Sequence, residues 1–128
     1  IPLKKGALDF FKICMKKNMP LGIATSNSRE LLEYFLEAHG LKKYFKAIVT
    51  GSDGLNGKPA PDMYLEVAKR LEVKPSKCLV FEDIIPGILA GKNAGMKVCA
   101  IEDKYSQDVI EEKIEKADYF INSFEDIL

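Results

Sequence analysis

Short apolar runs alternate with amphipathic stretches along the whole chain. Because the runs are too short for helices, they predict buried strands, at residues 21–25, 47–50, 78–81, 98–101 and 119–121. Between them, apolar residues recur at helical spacing and predict helices, at residues 6–18, 27–40, 61–71, 85–94 and 106–116, with a last helical turn at 124–128. This alternation is typical of repeated βα units and predicts an α/β fold, a Rossmann-like parallel sheet with helices on both faces, in one domain spanning residues 1–128.

Helix start and stop signals support these boundaries. Asn27 followed by Glu30 resembles a capping box, and Gly40 ends the helix that this box begins. Pro86 stands at an early helical position and Gly95 just past the last turn of the same helix. Residues 78–95 therefore form a strand, an acidic loop and a helix.

The charge balance, the length of the apolar runs and the cysteine content limit which partners and which cellular compartment the sequence predicts. The chain has 19 basic and 19 acidic residues, so no net charge attracts nucleic acid or a membrane surface. No apolar run approaches the roughly 20 residues of a membrane span, and the first residues lack a signal-peptide pattern. The three cysteines, far apart and in apolar surroundings, are interpreted as buried reduced thiols, which predicts a cytoplasmic protein.

Two carboxylates stand where the third predicted strand ends. Glu82 and Asp83 directly follow the run 78–81, and ligands of an open parallel sheet bind beyond the carboxyl ends of its strands. Hard carboxylate oxygens suit Mg²⁺. The alternative is that one acid caps the next helix while the other faces water.

Candidate phosphate-binding groups follow other strands. Thr25, Ser26 and Asn27 precede a predicted helix N-terminus, where hydroxyl and backbone N–H groups can hold a phosphate oxygen, although Ser26 or Asn27 could equally be a plain helix cap. Lys58, held out of helical geometry by Pro59, could neutralise a phosphate, although most loop lysines are solvated. Taken together, these groups lie on one rim of one sheet and are suited to phosphoryl transfer.

The same segments carry a resemblance to a known family. IATSN (23–27), GKPAPD (57–62) and CLVFEDIIPGILAGKNAGM (78–96) resemble the second, third and fourth motifs of the haloacid dehalogenase-like hydrolases. The similarity covers nearly the whole chain. It is strongest to the branch that holds β-phosphoglucomutase and small sugar-phosphate and nucleotide phosphatases, including pseudouridine 5′-phosphatase.

The resemblance implies a role for each candidate residue. Thr25 would hold the phosphate with its hydroxyl, and Ser26 and Asn27 would add backbone or amide contacts. Lys58 would brace the phosphate and the nucleophile. Asp83 would be a Mg²⁺ ligand, with Glu82 a supporting acid beside it.

The chain departs from the family at its first motif. No Asp-x-Asp occurs in these 128 residues, whereas family members carry the nucleophilic aspartate in such a motif on a central strand, followed by a helical cap domain. We therefore expect the sheet to lack its usual central first strand. The sequence is interpreted as the C-terminal part of a longer protein whose N-terminal segment supplies that strand and the cap, so the fragment alone is expected to be inactive.

Three functions are compatible with this pattern. The first is Mg²⁺-dependent hydrolysis of a small phosphorylated metabolite, a sugar phosphate or nucleotide, through an aspartyl-phosphate. The second is a phosphomutase of the β-phosphoglucomutase type. The third is a non-catalytic binding or regulatory relative, although retention of Thr25, Lys58 and Asp83 together argues against it.

Overall fold

The computed structural model describes residues 3–128, so residues 1 and 2 of the predicted domain lie outside the described part. It contains the alternating helices and strands that the apolar pattern predicts. The helices are α1 (Ala7–Lys16), α2 (Arg29–His39), α3 (Asp62–Leu71), α4 (Ile85–Asn93) and α5 (Ile110–Lys116). The strands are β1 (Leu21–Ala24), β2 (Phe45–Val49), β3 (Leu79–Glu82), β4 (Lys97–Ile101) and β5 (Tyr119–Ile121). The predicted α/β fold class is confirmed.

The strands form two parallel sheets. In one sheet β1 pairs with β2, so that Ala24 lies beside Val49. In the other, β3 pairs with β4 and β4 with β5, so that Val80 lies beside Val98. Within residues 3–128, β1 and β3 do not pair with each other. This division agrees with the expectation that the sheet lacks its central strand.

Helices cover both faces of the strands. Because side chains alternate along a strand, Val80 packs on the α3 and α4 side with Tyr64 and Ile88, while Phe81 packs on the α1 side against Phe10. In the first sheet, α3 packs closely on Gly22 of β1. A Cβ at Gly22 would overlap a methyl group of Val67 in α3.

Helix α1 joins the two sheets on one face. Phe10 packs edge-on against Phe81 at 5.2 Å between ring centroids, and Phe11 packs edge-on against Phe45 at the same separation. Since Phe81 belongs to β3 and Phe45 to β2, adjacent residues of one helix contact both sheets. The apolar side of α1 therefore packs against both sheets and holds them together on this face.

Several details differ from the sequence-based expectations. Ser28, and not Asn27, caps α2, because its side-chain oxygen accepts a hydrogen bond from the Leu31 N–H. Strand β1 is only half-buried along its length, since within residues 3–128 no strand pairs with the edge of β1 that faces away from β2. All three cysteines are free, but Cys78 is half-buried where full burial was expected. Among residues 3–128, every helix is too short or too polar to cross a lipid bilayer.

Candidate functional site

The candidate residues lie where β1 and β3 end. Each strand is parallel to its neighbours, and Lys58 contacts the last residue of both, so the carboxyl ends of β1 and β3 lie at one rim of the molecule. Thr25 is the first residue after β1, Glu82 is the last residue of β3, and Asp83 follows it. The third contributor, Lys58, comes from the segment between β2 and α3.

Lys58 connects the two sheets at this rim. Its Nζ donates to the backbone oxygen of Ala24 at 3.0 Å and to Glu82 Oε2 at 2.5 Å. The Lys58 and Glu82 side chains are 13% and 9% exposed, so this ion pair is largely shielded from water. The ammonium group therefore lies between the residue before Thr25 and the residue before Asp83.

The Glu82 carboxylate is held from several sides. Tyr64, in the first turn of α3, donates its hydroxyl hydrogen to the same Oε2 that accepts from Lys58. On the other side, Gly87 of α4 packs so closely that a Cβ at this position would overlap the carboxylate. Burial, followed by the nearby Glu82 charge, raises the pKa of Tyr64 far above its ordinary value, so the phenol stays protonated and remains a donor.

Asp83 is the more accessible of the two acids. Its side chain is 35% exposed, and Oδ2 lies 3.4 Å from the Nζ of Lys4. Its backbone oxygen accepts a hydrogen bond from the Ser106 hydroxyl at 3.4 Å. The carboxylate of Asp83 is thus available to a ligand at the rim, while its backbone is tied to the loop that follows β4.

The loop of residues 25–27 is fixed by its own hydrogen bonds and by the turn after β2. The Asn27 N–H donates to the Thr25 hydroxyl oxygen at 3.2 Å, and the Gly51 N–H donates to the Asn27 carbonyl at 2.8 Å. A Cβ at Gly51 would overlap the carbonyl oxygen of Ser26, so this close approach requires glycine. The side chains of Ser26 and Asn27 are exposed.

Arg29, the first residue of α2, strengthens the same connection. Its guanidinium donates to the Ile48 carbonyl at 3.0 Å and pairs with Asp53 at 3.3 Å. The Thr50 backbone N–H donates to Asp53 at 2.8 Å, and this bond together with Arg29 lowers the pKa of Asp53. The N-terminus of α2 is therefore held against the turn after β2.

A buried lysine supports the loop behind Asp83. Lys113 of α5 is 1% exposed, and its Nζ donates to the Ile101 carbonyl at 2.8 Å and to the Ser106 hydroxyl at 3.3 Å. Burial lowers the pKa of Lys113, although the acids nearby oppose this effect. Lys113 thus fixes the end of β4 and the serine that contacts the Asp83 backbone.

The donor set at the rim is compatible with Mg²⁺ as one part of a coordination shell. Mg²⁺ is usually held by one or two carboxylates together with water and substrate phosphate oxygens, and the half-exposed Asp83 offers one carboxylate of this kind. Glu82 Oε2 is already occupied by Lys58 and Tyr64. Within residues 3–128, no three His, Cys, Asp or Glu side chains are grouped closely enough to bind a metal unaided.

The structure thus brings the predicted residues to one rim. Lys58 contacts the residues adjacent to Thr25 and Asp83, and Glu82 lies in this contact. Tyr64 and Lys113 were not predicted to belong to the site. Lys113 had only a weak signal, because it stands three residues after Ile110 and so shares its side of α5, while the neighbouring Ile114 is exposed. Tyr64 had none beyond its place on the apolar side of α3.

Comparison with known proteins gives a consistent family. The family model for haloacid dehalogenase-like hydrolases matches residues 1–101. A bifunctional riboflavin kinase/FMN phosphatase from Arabidopsis thaliana is 42% identical over 110 residues, 85% of this chain and 28% of that protein. A phosphorylated carbohydrates phosphatase from Thermotoga maritima is 44% identical over 97 residues, 75% of this chain and 43% of that protein.

A solved structure extends the likeness to the whole chain. The crystal structure of a HAD hydrolase, family IA, variant 3, from Entamoeba histolytica aligns with a TM-score of 0.88 and 34% identity, over 100% of this chain and 58% of that one. The chain therefore spans less than half the length of the two curated relatives above and little more than half of this structure.

Proposed function

Because this chain belongs to the haloacid dehalogenase-like hydrolase family, we propose that the protein containing it is a phosphatase that hydrolyses a small phosphomonoester. The observation that carries the proposal is the position of Lys58, whose ammonium contacts Ala24 and Glu82, the residues directly before Thr25 and Asp83. A cation between a hydroxyl and a carboxylate is the arrangement that a phosphoryl group requires for binding and charge stabilisation.

The proposed roles follow from the contacts at the rim. Thr25 binds a phosphate oxygen with its hydroxyl, and the exposed Ser26 and Asn27 add polar contacts from the same loop. Lys58 has three N–H donors, of which Ala24 and Glu82 take two, so one remains for the phosphoryl group. Glu82 holds the Lys58 ammonium in place at the rim.

Asp83 would hold the magnesium ion, with Glu82 close behind it. When bound, Mg²⁺ would neutralise charge on the phosphoryl oxygens. The contact of Asp83 with Lys4 is a partly exposed ion pair, which is weak enough to yield to a divalent cation. The Ser106 contact would keep the Asp83 backbone in position during this exchange.

The nucleophile of the proposed reaction lies outside these 128 residues. The reaction would pass through an aspartyl-phosphate, and the chain carries no Asp-x-Asp motif to supply the aspartate. A further parallel strand between β1 and β3 would bring such a residue next to Lys58 and would also satisfy the backbone groups along both open edges. Residues 1–128 would then be part of one catalytic domain.

The proposed substrates are phosphorylated metabolites. The relatives named above act, by their names, on FMN and on phosphorylated carbohydrates. Both substrates are small organic phosphomonoesters, and the rim described here offers groups for the phosphate but few for a leaving group. We infer that selection among such substrates depends on parts of the protein beyond these residues.

The test is turnover by the full-length protein. We expect Mg²⁺-dependent release of phosphate from p-nitrophenyl phosphate, measured as p-nitrophenol absorbance. Asp83→Asn keeps the shape of the side chain but removes its charge, and it should lower kcat by at least about a hundredfold if the carboxylate binds the metal. The matched control is Asp108→Asn, an exposed aspartate whose side chain makes no hydrogen bond or ion pair within residues 3–128, and it should retain wild-type activity.

Two results would contradict the proposal. One is an unchanged rate in Asp83→Asn, which would remove the metal role of this residue. The other is turnover by the isolated 128-residue chain, which would show that no external aspartate is needed. Analysis of the products distinguishes hydrolysis from a mutase reaction, since a mutase converts a sugar phosphate into its isomer and releases little free phosphate.

A further inference from the structure

Tyr64 makes two separate contacts with the Lys58–Glu82 pair. Its hydroxyl donates to Glu82 Oε2, and the face of its ring lies 4.9 Å from the Lys58 Nζ. The tyrosine is 9% exposed, and its ring belongs to the core cluster that includes Val80 and Ile88. One rigid, packed side chain therefore contacts both members of the ion pair.

The hydroxyl contact affects how strongly Glu82 holds Lys58. The same Glu82 oxygen, Oε2, accepts hydrogen bonds from the Lys58 ammonium and from the Tyr64 hydroxyl. The Tyr64 hydroxyl therefore offsets part of the negative charge that Glu82 exerts on Lys58. In this shielded environment a hydrogen bond to a charged group is stronger than in water. Without the hydroxyl, the Glu82 charge would act on Lys58 alone and would oppose the positive field of Lys58 at the rim.

We propose that Tyr64 is a positioning residue for Lys58: by donating to Glu82 it leaves the lysine ammonium free to attract a phosphate dianion at the rim. The inference rests on the proposed function, because it assigns to Tyr64 a share in the phosphate affinity of that site. It adds a side chain of α3 to functional side chains that otherwise come from loops and strand ends.

Tyr44 provides a matched comparison within the same chain. It is 8% exposed, and the Nζ of Lys43 lies 5.4 Å from its ring centroid. It packs in a different cluster, with Leu32, Leu36 and Leu41, and within residues 3–128 its hydroxyl contacts no carboxylate. Tyr44 therefore shares the burial and the nearby lysine of Tyr64 but not the contact with Glu82.

The experiment compares Tyr64→Phe with Tyr44→Phe in the full-length protein. Each variant keeps the aromatic ring and loses only the hydroxyl group. We expect Tyr64→Phe to raise both KM for p-nitrophenyl phosphate and the inhibition constant of inorganic phosphate by about three- to tenfold, because only part of the energy of its hydrogen bond to Glu82 is expressed in phosphate affinity. Because the loss affects bound substrate and transition state alike, kcat should change by less than about twofold. Tyr44→Phe should leave all three constants unchanged.

A double-mutant cycle tests whether Tyr64 acts through Glu82. In a Glu82→Gln background, Tyr64→Phe should add no more than about a twofold further loss of phosphate affinity, because the charge that the hydroxyl offsets is already absent. Phosphate affinity is measured here by calorimetric titration of inorganic phosphate, so that a slow enzyme can still be compared. Circular dichroism and urea unfolding establish that each variant is folded.

The outcomes separate this inference from the proposed function. If the wild type binds phosphate and turns over substrate while Tyr64→Phe has the same KM and inhibition constant, the inference is overturned and the phosphatase assignment stands. An equal effect of Tyr64→Phe in the presence and absence of the Glu82 charge would also overturn it, since the hydroxyl would then act by another route. If the wild type neither binds phosphate nor hydrolyses phosphomonoesters, the proposed function fails and the inference fails with it.

Discussion

Among single residues, two glycines determine how closely side chains and loops can approach at the rim. Gly51 allows the turn after β2 to contact the carbonyl of Ser26, and Gly87 allows α4 to pack against the Glu82 carboxylate. Neither glycine adopts a left-handed backbone conformation, so the reason for glycine is lack of space and not backbone freedom. The ion pair with Lys58 thus depends on a position that carries no side chain.

Gly87→Ala should disturb this arrangement. The added Cβ would overlap the carboxylate, so Glu82 must move from Lys58 and Tyr64, and we expect a loss of about 1–3 kcal/mol in the free energy of unfolding. Phosphate affinity of the full-length protein should fall as well. Both are measured by urea unfolding and phosphate titration.

Gly91→Ala in the same helix is the control. Its Cβ would meet a methyl group of Val98, away from the rim, so it should lower stability without lowering phosphate affinity. If the two variants lose stability equally and neither loses affinity, Gly87 does not position Glu82.

The residues of the rim were predictable from sequence to different degrees. Thr25, Lys58 and Asp83 follow strands or begin loops, and that placement alone brings them to one edge of a parallel fold. The contact of Tyr64 with Glu82 was not predictable, because a tyrosine on the apolar side of a helix has the same pattern whether or not its hydroxyl finds a partner. That information depends on the packing of α3 against β3, which periodicity does not encode.

At the scale of elements, Asp118, the residue directly before β5, connects β5 with α4 and β4. Its carboxylate accepts from Lys92 of α4, with both oxygens at 2.9 Å, and from the Val98 N–H of β4 at 2.8 Å. The hydrogen bond from Lys92, and then that from Val98, lowers the pKa of Asp118 below its ordinary value. One side chain therefore fixes the C-terminal turn of α4 on the strand that follows it.

The lowered pKa gives a defined pH dependence. A carboxyl group whose pKa is lower in the folded state stabilises the fold above its unfolded pKa, about 4, and this contribution is lost as pH falls through the folded value. Asp118→Asn removes the charge from a partly exposed ion pair and leaves an amide oxygen for the Val98 N–H, so it should lower the free energy of unfolding at pH 7 by about 0.5–1.5 kcal/mol. The difference from wild type should shrink as the pH falls below about 4. Thermal unfolding between pH 7 and about pH 3 measures both effects, with Asp108→Asn as the control. A difference that stays constant with pH would exclude the ionised Asp118 as its source.

The elements themselves were largely predictable, and their ends less so. Apolar periodicity located the five α-helices and five strands of residues 3–128, because burial of one face imposes the pattern, but it missed the short 3-10 helices Lys42–Tyr44, Gly51–Asp53 and Pro75–Lys77. The start of α2 was placed one residue early, since Asn27 and Ser28 are both good caps and only the contact of Ser28 with Leu31 decides between them. Strand β1 was predicted to be buried from its apolar run alone, and it is half-buried because within residues 3–128 it pairs only with β2.

At the scale of the whole molecule, β1 and β3 are edge strands of two separate sheets, and Lys58 connects their carboxyl ends. The Thr25 N–H donates to Val49 in β2, so by strand alternation the backbone groups of Gly22 and Ala24 point away from β2. Likewise, the Cys78 carbonyl accepts a hydrogen bond from the Lys97 N–H at the start of β4. By the same alternation, the backbone N–H and C=O groups of Leu79 and Phe81 point away from β4. The sequence motifs predicted a missing strand, and these two rows of backbone groups are the local consequence.

Hydrogen exchange can test whether a strand from the longer protein fills this position. In the isolated 128-residue chain, the amides of Gly22, Ala24, Leu79 and Phe81 should exchange rapidly, since within residues 3–128 no neighbouring strand accepts from them. In the full-length protein a strand between β1 and β3 would accept from them, and exchange should slow by at least about a hundredfold. The Thr25 amide, already bonded to Val49, serves as the internal control and should be protected in both forms. Equal exchange of the four edge amides in both forms would mean that the two sheets stay separate, and the nucleophile of the proposed reaction would then have to reach Lys58 from a loop.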